Sequence, residues 1–165
     1  MTLTKHFFFS VLNLPLILLI FIASCKQIVF SNPHSEQKVE ALMNDYVEAW
    51  SNGDVNKIIE EIYEPPLTIR YQDSVIVLGD KGRLKKFLTQ TFENLEKSNY
   101  GYSIINDWES KTIDKDILSF KMNYTRFLKD GSIMGDPDRQ ASYLLKKNID
   151  GEYRIKSLIP GTPIE

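Results

Sequence analysis

The chain of 165 residues contains a single cysteine, Cys25, and two histidines, His6 and His34, so no position beyond 34 carries either residue type. Disulfides, thiol nucleophiles, imidazole bases and metal centres built on His or Cys are thereby excluded from the greater part of the chain. An excess of positive charge is missing as well: 20 basic residues face 22 acidic ones, for a net charge of −2 at pH 7. With no basic footprint to neutralise a phosphate backbone, no nucleic-acid partner is expected. Long apolar runs are confined to the N-terminal end, and neither an internal repeat nor a low-complexity tract occurs. What is present is 42% hydrophobic and 25% charged residues, enough for one domain with a core of its own.

The N-terminal end reads as an export signal. Lys5 precedes an uncharged run from Phe7 to Ser24, interrupted only by Ser10, Asn13 and Pro15. The run closes on Ile22, Ala23, Ser24 and Cys25, which resembles a bacterial lipobox: a branched aliphatic residue, two small ones that let a peptidase grip the extended backbone, and a cysteine. A thioether from Cys25 to diacylglycerol would bury two acyl chains, and two chains hold a protein at a membrane where one does not. The expected organisation is therefore a signal at residues 1–24, a tether at 25–35 containing Asn32 and Pro33, and a domain at 36–165, with the membrane as partner through the lipid. The same run also reaches the lower length limit of an uncleaved membrane helix, and Ala23 with Cys25 also fits an ordinary cleavage site. All three readings put the domain outside the cytoplasm.

From Glu36 the periodicity becomes helical. Val39, Leu42, Met43, Tyr46, Val47 and Trp50 share one face, with Gly53 as a stop; Asp54 then caps a second helix striped by Val55, Ile58, Ile59, Ile62 and Tyr63 and ended by Pro65 and Pro66. Residues 67–79 form two short β-rich runs around Gln72, Asp73 and Ser74. A third helix begins near Asp80, with Leu84, Phe87, Leu88, Thr91, Phe92 and Leu95 as its stripe. Long strands are expected at 102–113, 117–128, 139–147 and 153–159, with hairpin signals at Lys129-Asp130-Gly131 and Asp150-Gly151. Along the second of these, Leu118, Phe120, Met122, Tyr124 and Arg126 share one face. The fold class is α+β.

This order of elements resembles the nuclear transport factor two-like superfamily, which includes polyketide-cyclase-like and ketosteroid-isomerase-like proteins. The resemblance spans residues 36–159 and is carried by Tyr46-Val47-Glu48-Ala49-Trp50-Ser51-Asn52-Gly53-Asp54 and by Ala141 to Lys147 followed by Asp150 to Ile155. Neither motif is catalytic. The resemblance implies a curved antiparallel sheet wrapped as a cone around three helices, with a hollow that binds small apolar molecules or carries an active site. It also puts Tyr46 where ketosteroid isomerases place a phenol that donates to a developing enolate oxygen, and a base near Arg70 or Tyr71, neither of which is a carboxylate. The isomerase reading thereby loses its base.

Candidate pocket residues are Tyr46, Trp50, Trp108, Tyr124, Arg126 and Tyr143. For Tyr46 and Trp108, taken to share a face with Ile104 and Asn106, plain core packing competes with pocket lining. Arg126, on the inward-facing row of its strand, is read as the receptor for a ligand carboxylate or phosphate, as half of an ion pair with an acidic residue, or as a rim side chain near the Asp130 turn. Asp107 becomes a weak candidate base only if its strand register is inverted. Asp136 and Asp138 flank Pro137 in a loop that supplies too few oxygens for calcium. The basic opening of the third helix, Lys81 to Lys86, reads as solvated surface or as a contact for anionic headgroups. No metal and no cofactor are expected. Three functions compete: a lipid-anchored module binding a small, partly apolar molecule; an isomerase, dehydratase or cyclase using Asp107 or Glu109 as base; and an interaction module, including a homodimer, through the sheet face.

Overall fold

A computed structural model describes residues 33–161; the signal, Cys25 and most of the tether lie outside them. Helix α1 (Pro33–Ser51) ends where Gly53, at φ +65°, turns the chain: the Gly53 N–H donates to Trp50 O at 3.2 Å and the Asp54 N–H to Ala49 O at 2.8 Å. This pair of bonds satisfies the last carbonyls of α1 and requires the left-handed backbone that glycine adopts freely. Asp54 Oδ1 accepts the Lys57 N–H at 2.9 Å and caps the short α2 (Val55–Lys57), which runs into a π-helical stretch, Ile58–Ile62. All three isoleucines of that stretch are buried.

The second helix stops earlier than its stripe suggests. Tyr63 is extended and begins β1 (Tyr63–Arg70), so Pro65 and Pro66 lie inside a strand and do not follow a helix. Neither proline has an N–H to donate, and the pairing with the neighbouring strand shifts register between Tyr63 and Thr68, around them. β2 (Val75–Leu78) pairs with β1; α3 (Lys81–Lys97) follows, its N-cap Asp80 accepting the Arg83 N–H at 2.8 Å. β3 (Tyr100–Asp114), β4 (Ile117–Leu128), β5 (Arg139–Lys147) and β6 (Tyr153–Ile159) form a meander.

The six strands make one curved sheet in the order β2-β1-β6-β5-β4-β3, antiparallel throughout except for the parallel β1–β6 pair. Its concave side carries the core: Leu118, Phe120 and Met122 of β4 and Leu145 of β5 face Val39 and Met43 of α1 and Leu84 and Leu88 of α3 in one buried cluster. Among the described residues no helix is long and apolar enough to cross a membrane, and no group of three or more His, Cys, Asp or Glu converges as a metal site.

A candidate ligand cavity

Between α1, α3 and the concave sheet lies a cavity of about 210 Å³. α1 contributes Tyr46 and Trp50, one helical turn apart; β4 contributes Tyr124 and Arg126, and β5 contributes Ala141 and Tyr143, each pair two apart on a strand and hence on one face. Of the expected pocket residues, five therefore meet here. Trp108 does not. A bulge shifts the β3–β4 register between Ile105 and Asp107, so that Ile105 and Trp108 turn toward the core while Ile104 and Asn106 face solvent. Trp108 stacks on Phe120, centroids 5.2 Å apart, away from the cavity. Asp107 is exposed and accepts the Trp108 N–H at 2.8 Å; it shares a shallow surface depression with Glu109 and Lys121.

The polar centre of the cavity is a cluster of three phenols. Tyr63 and Tyr143 each donate to the Tyr46 oxygen, at 3.2 and 3.4 Å. Burial pushes the Tyr46 hydroxyl up to about 12, against the pull of the two hydrogen bonds from Tyr143 and Tyr63. Tyr63 and Tyr143 are raised further, first by burial and then by the charge a Tyr46 phenolate would carry. All three stay protonated at neutral pH. Trp50 packs edge-on against Tyr46 at 5.9 Å and tilted against Phe92 at 4.9 Å. Its indole nitrogen is buried and makes no hydrogen bond.

Arg126 is half-buried, with its Cζ 5.7 Å from the Tyr124 ring centroid and 5.9 Å from that of Tyr100. The expected ion pair is missing: among the described residues no carboxylate lies within salt-bridge distance of it. Asp130, in the turn that follows β4, accepts the Ser132 N–H and hydroxyl at 2.9 and 2.7 Å. A side pocket of about 30 Å³, large enough for one water, lies against the main cavity's polar end; Tyr46, Trp50, Tyr124, Arg126 and Tyr143 line both.

The opposite, apolar end was not anticipated as pocket. Ile69 of β1, Leu158 of β6 and Phe87, Thr91 and Leu95 of α3 line it, together with Tyr63 and the exposed Tyr71. On α3 the signal existed: Leu84 and Leu88 are fully buried while Phe87, Thr91 and Leu95, on the adjoining ridge, are only partly so. Elsewhere, the Asp136–Asp138 loop is self-satisfied, Asp136 Oδ1 accepting the Asp138 N–H at 2.8 Å. In the basic opening of α3, Lys81 pairs with Glu60 and Arg83 with Asp80, all exposed.

A cone of sheet over helices with an aromatic hollow is the architecture implied by the resemblance, and the sequence profile described as "NTF2-like protein (DUF6841)" matches residues 35–163. The chain belongs to this NTF2-like family. Solved structures agree on the fold of the NTF2-like domain. A domain with a cystatin-like fold from Nostoc punctiforme superposes with a TM-score of 0.63 at 14% identity, covering 82% of this chain and 80% of that one. An NTF2-like superfamily protein from Salmonella enterica gives 0.62 at 10% identity, covering 82% and 95%. A ketosteroid isomerase-like protein from Erwinia carotovora atroseptica gives 0.54 at 18% identity, covering 74% and 92%. No curated protein matches the sequence.

Proposed function

We propose that the protein is a lipid-anchored, extracytoplasmic NTF2-like domain that holds a small, partly apolar molecule in its cavity without transforming it. The observation that carries this reading is the composition of the cavity wall: aromatic and aliphatic side chains with hydrogen-bond donors at one end, and no carboxylate, imidazole, thiol or amine among the described lining residues. Abstraction of a proton from carbon needs a base that is deprotonated near neutral pH. Tyr46, held up at about 12, is a donor under those conditions and cannot serve as one. An isomerase, dehydratase or cyclase reading gains nothing from Asp107 or Glu109, whose carboxylates face solvent outside the cavity. The isomerase-like relative shares the fold, and a fold carries no reaction by itself.

The lipid anchor and the extracytoplasmic location rest on Lys5, the uncharged run and the Ile22-Ala23-Ser24-Cys25 ending. A second reading, contact between two copies through the outer sheet face, is favoured by one apolar corner: Tyr102 stacks on Phe127 at 4.8 Å, Ile133 bridges to Phe127, and Tyr102, Ile104 and Ile133 are exposed. Native mass spectrometry of the full-length protein, extracted from bacterial membranes in mild detergent, tests these together. Expected are a chain that starts at Cys25 and bears a diacylglyceryl adduct, and a small molecule released on denaturation. An unmodified Cys25 would remove the anchor, a ligand-free protein from every extract would count against the binding reading, and a dimer mass would support the copy-to-copy contact.

A further inference from the structure

We infer that the cavity is built for a compact aromatic monocarboxylate, its carboxylate received by the Arg126 guanidinium and its ring lying in the chamber walled by Ile69, Phe87 and Leu158. The inference rests on the binding reading above and adds the ligand's chemical class. Its first ground is an imbalance of donors and acceptors. The Arg126 fork is flanked by the faces of Tyr100 and Tyr124, which attract a cation but take none of its N–H bonds, and no described carboxylate pairs with it. Tyr46 spends its oxygen on two incoming hydrogen bonds, so its proton is what it has left to offer. Two donors, Arg126 and Tyr46, converge where the main cavity meets the side pocket, and the wall supplies no anion to match them. A buried donor without an acceptor is costly, so the acceptors are expected to arrive with the ligand.

The second ground is charge. Arg126 is the only cation among the described lining residues, so one negative charge is neutralised and a second would be left uncompensated in a largely apolar chamber. A carboxylate carries one charge and presents two coplanar oxygens to the planar guanidinium, which binds such a pair through parallel N–H bonds. A phosphate monoester carries between one and two negative charges at neutral pH and fits less well. The third ground is size. At about 210 Å³ the cavity falls below the range of roughly 300–1,000 Å³ typical of drug-sized ligands, yet exceeds the roughly 150 Å³ that accommodates benzene in an engineered protein core. One ring with a short acid arm fits, and its edges and faces meet the aromatic walls of Phe87, Tyr124 and Tyr143.

The test is calorimetric titration of the full-length protein in detergent at pH 7 with phenylacetate, its neutral isostere phenylacetamide, and benzylphosphonate, which carries between one and two negative charges at that pH. Phenylacetate is expected to bind about tenfold or more tightly than phenylacetamide, the scale of a charge-assisted hydrogen bond. Arg126→Gln should erase that preference by weakening phenylacetate far more than phenylacetamide, and Arg126→Lys, which keeps the charge without the fork, should restore part of it. Equal affinity for acid and amide in the native protein overturns the inference, as does an acid preference that survives Arg126→Gln or a tighter complex with benzylphosphonate; in each case the binding reading stands. Failure of both phenylacetate and phenylacetamide to bind overturns the inference, and the binding reading then stands or falls with the molecule recovered from the native protein. Should Arg126→Gln unfold, the acid-to-amide ratio of the native protein and of Arg126→Lys decides the matter.

Discussion

A phenol buried among phenols keeps its proton, and the cost of removing it is paid by the fold. Tyr46 sits at about 12 against an ordinary value of 10.0 because burial opposes the phenolate more than its hydrogen bonds favour it. The folded value lies above the unfolded one, so this group leaves stability independent of pH below about 10 and withdraws it as pH rises from about 10 through about 12, at up to about 1.4 kcal/mol per pH unit. Tyr63 and Tyr143, raised in the same direction, add to the alkaline loss. In urea unfolding followed from pH 7 to pH 11, the midpoint should hold steady and then fall above pH 10. Tyr46→Phe should reduce stability at pH 7 by about 1–3 kcal/mol, since the Tyr63 and Tyr143 hydroxyls lose their shared acceptor, and should make the alkaline decline shallower. A Tyr46→Phe protein as stable as the native one at pH 7, with an identical alkaline decline, would show that the cluster contributes nothing to the fold.

Strands and helices were legible where one periodicity dominates, and less so where a local irregularity intervenes. The stripes of α1 and α3 and the alternation along β4 placed their elements and their core faces correctly, because each obeys a single period over many residues. The helical stripe of Ile58, Ile59 and Ile62 runs on to Tyr63 in the sequence, yet a π-helical stretch buries all three isoleucines and releases Tyr63 into β1. Trp108 faces inward, as core packing requires, but does not share that face with Ile104 and Asn106: one extra residue at a bulge inverts the alternation, and no composition signal marks the place. Tyr46, Trp50, Tyr124, Arg126 and Tyr143 lie on regular stretches and line one cavity, whereas Trp108, beyond the bulge, packs on Phe120 in the core. A second irregularity of β3 makes a prediction. The register shifts again between Tyr100 and Tyr102, and a Cβ at Gly101 would stand 2.7 Å from the Leu128 carbonyl oxygen, a backbone atom that cannot swing aside. Gly101→Ala should therefore destabilise by about 1–3 kcal/mol in chemical denaturation, although alanine ordinarily suits a strand no worse than glycine. An unchanged midpoint would mean that the β3–β4 edge yields at that point.

In the molecule as a whole, the cavity divides the elements into those that the core holds and those that its contents would hold. β4 lies between β3 and β5, with Leu118, Phe120 and Met122 packed into the buried cluster, so its amides are protected by ladder and core alike. α3 is secured differently. Leu84 and Leu88 anchor its first half, Asp80 caps its start, and an ion pair from Glu96 to Lys129 ties its end to the β4–β5 connection; between those ties Phe87, Thr91 and Leu95 face the cavity. A ligand in the cavity supplies the packing partners for that inner face. Binding stabilises the folded protein by about 2.7 kcal/mol at a free concentration of 100 times Kd, and local opening slows wherever the ligand makes its contacts. Hydrogen exchange with and without saturating phenylacetate, or with the molecule recovered from the native protein, should therefore slow most between Phe87 and Leu95 and little along β4. Uniform slowing across the sheet, with α3 unaffected, would place the ligand against some other surface. The same measurement on the Arg126→Gln protein with phenylacetamide separates the contribution of the walls from that of the charge, because the protection of α3 depends on its apolar contacts and should persist when the acid is gone.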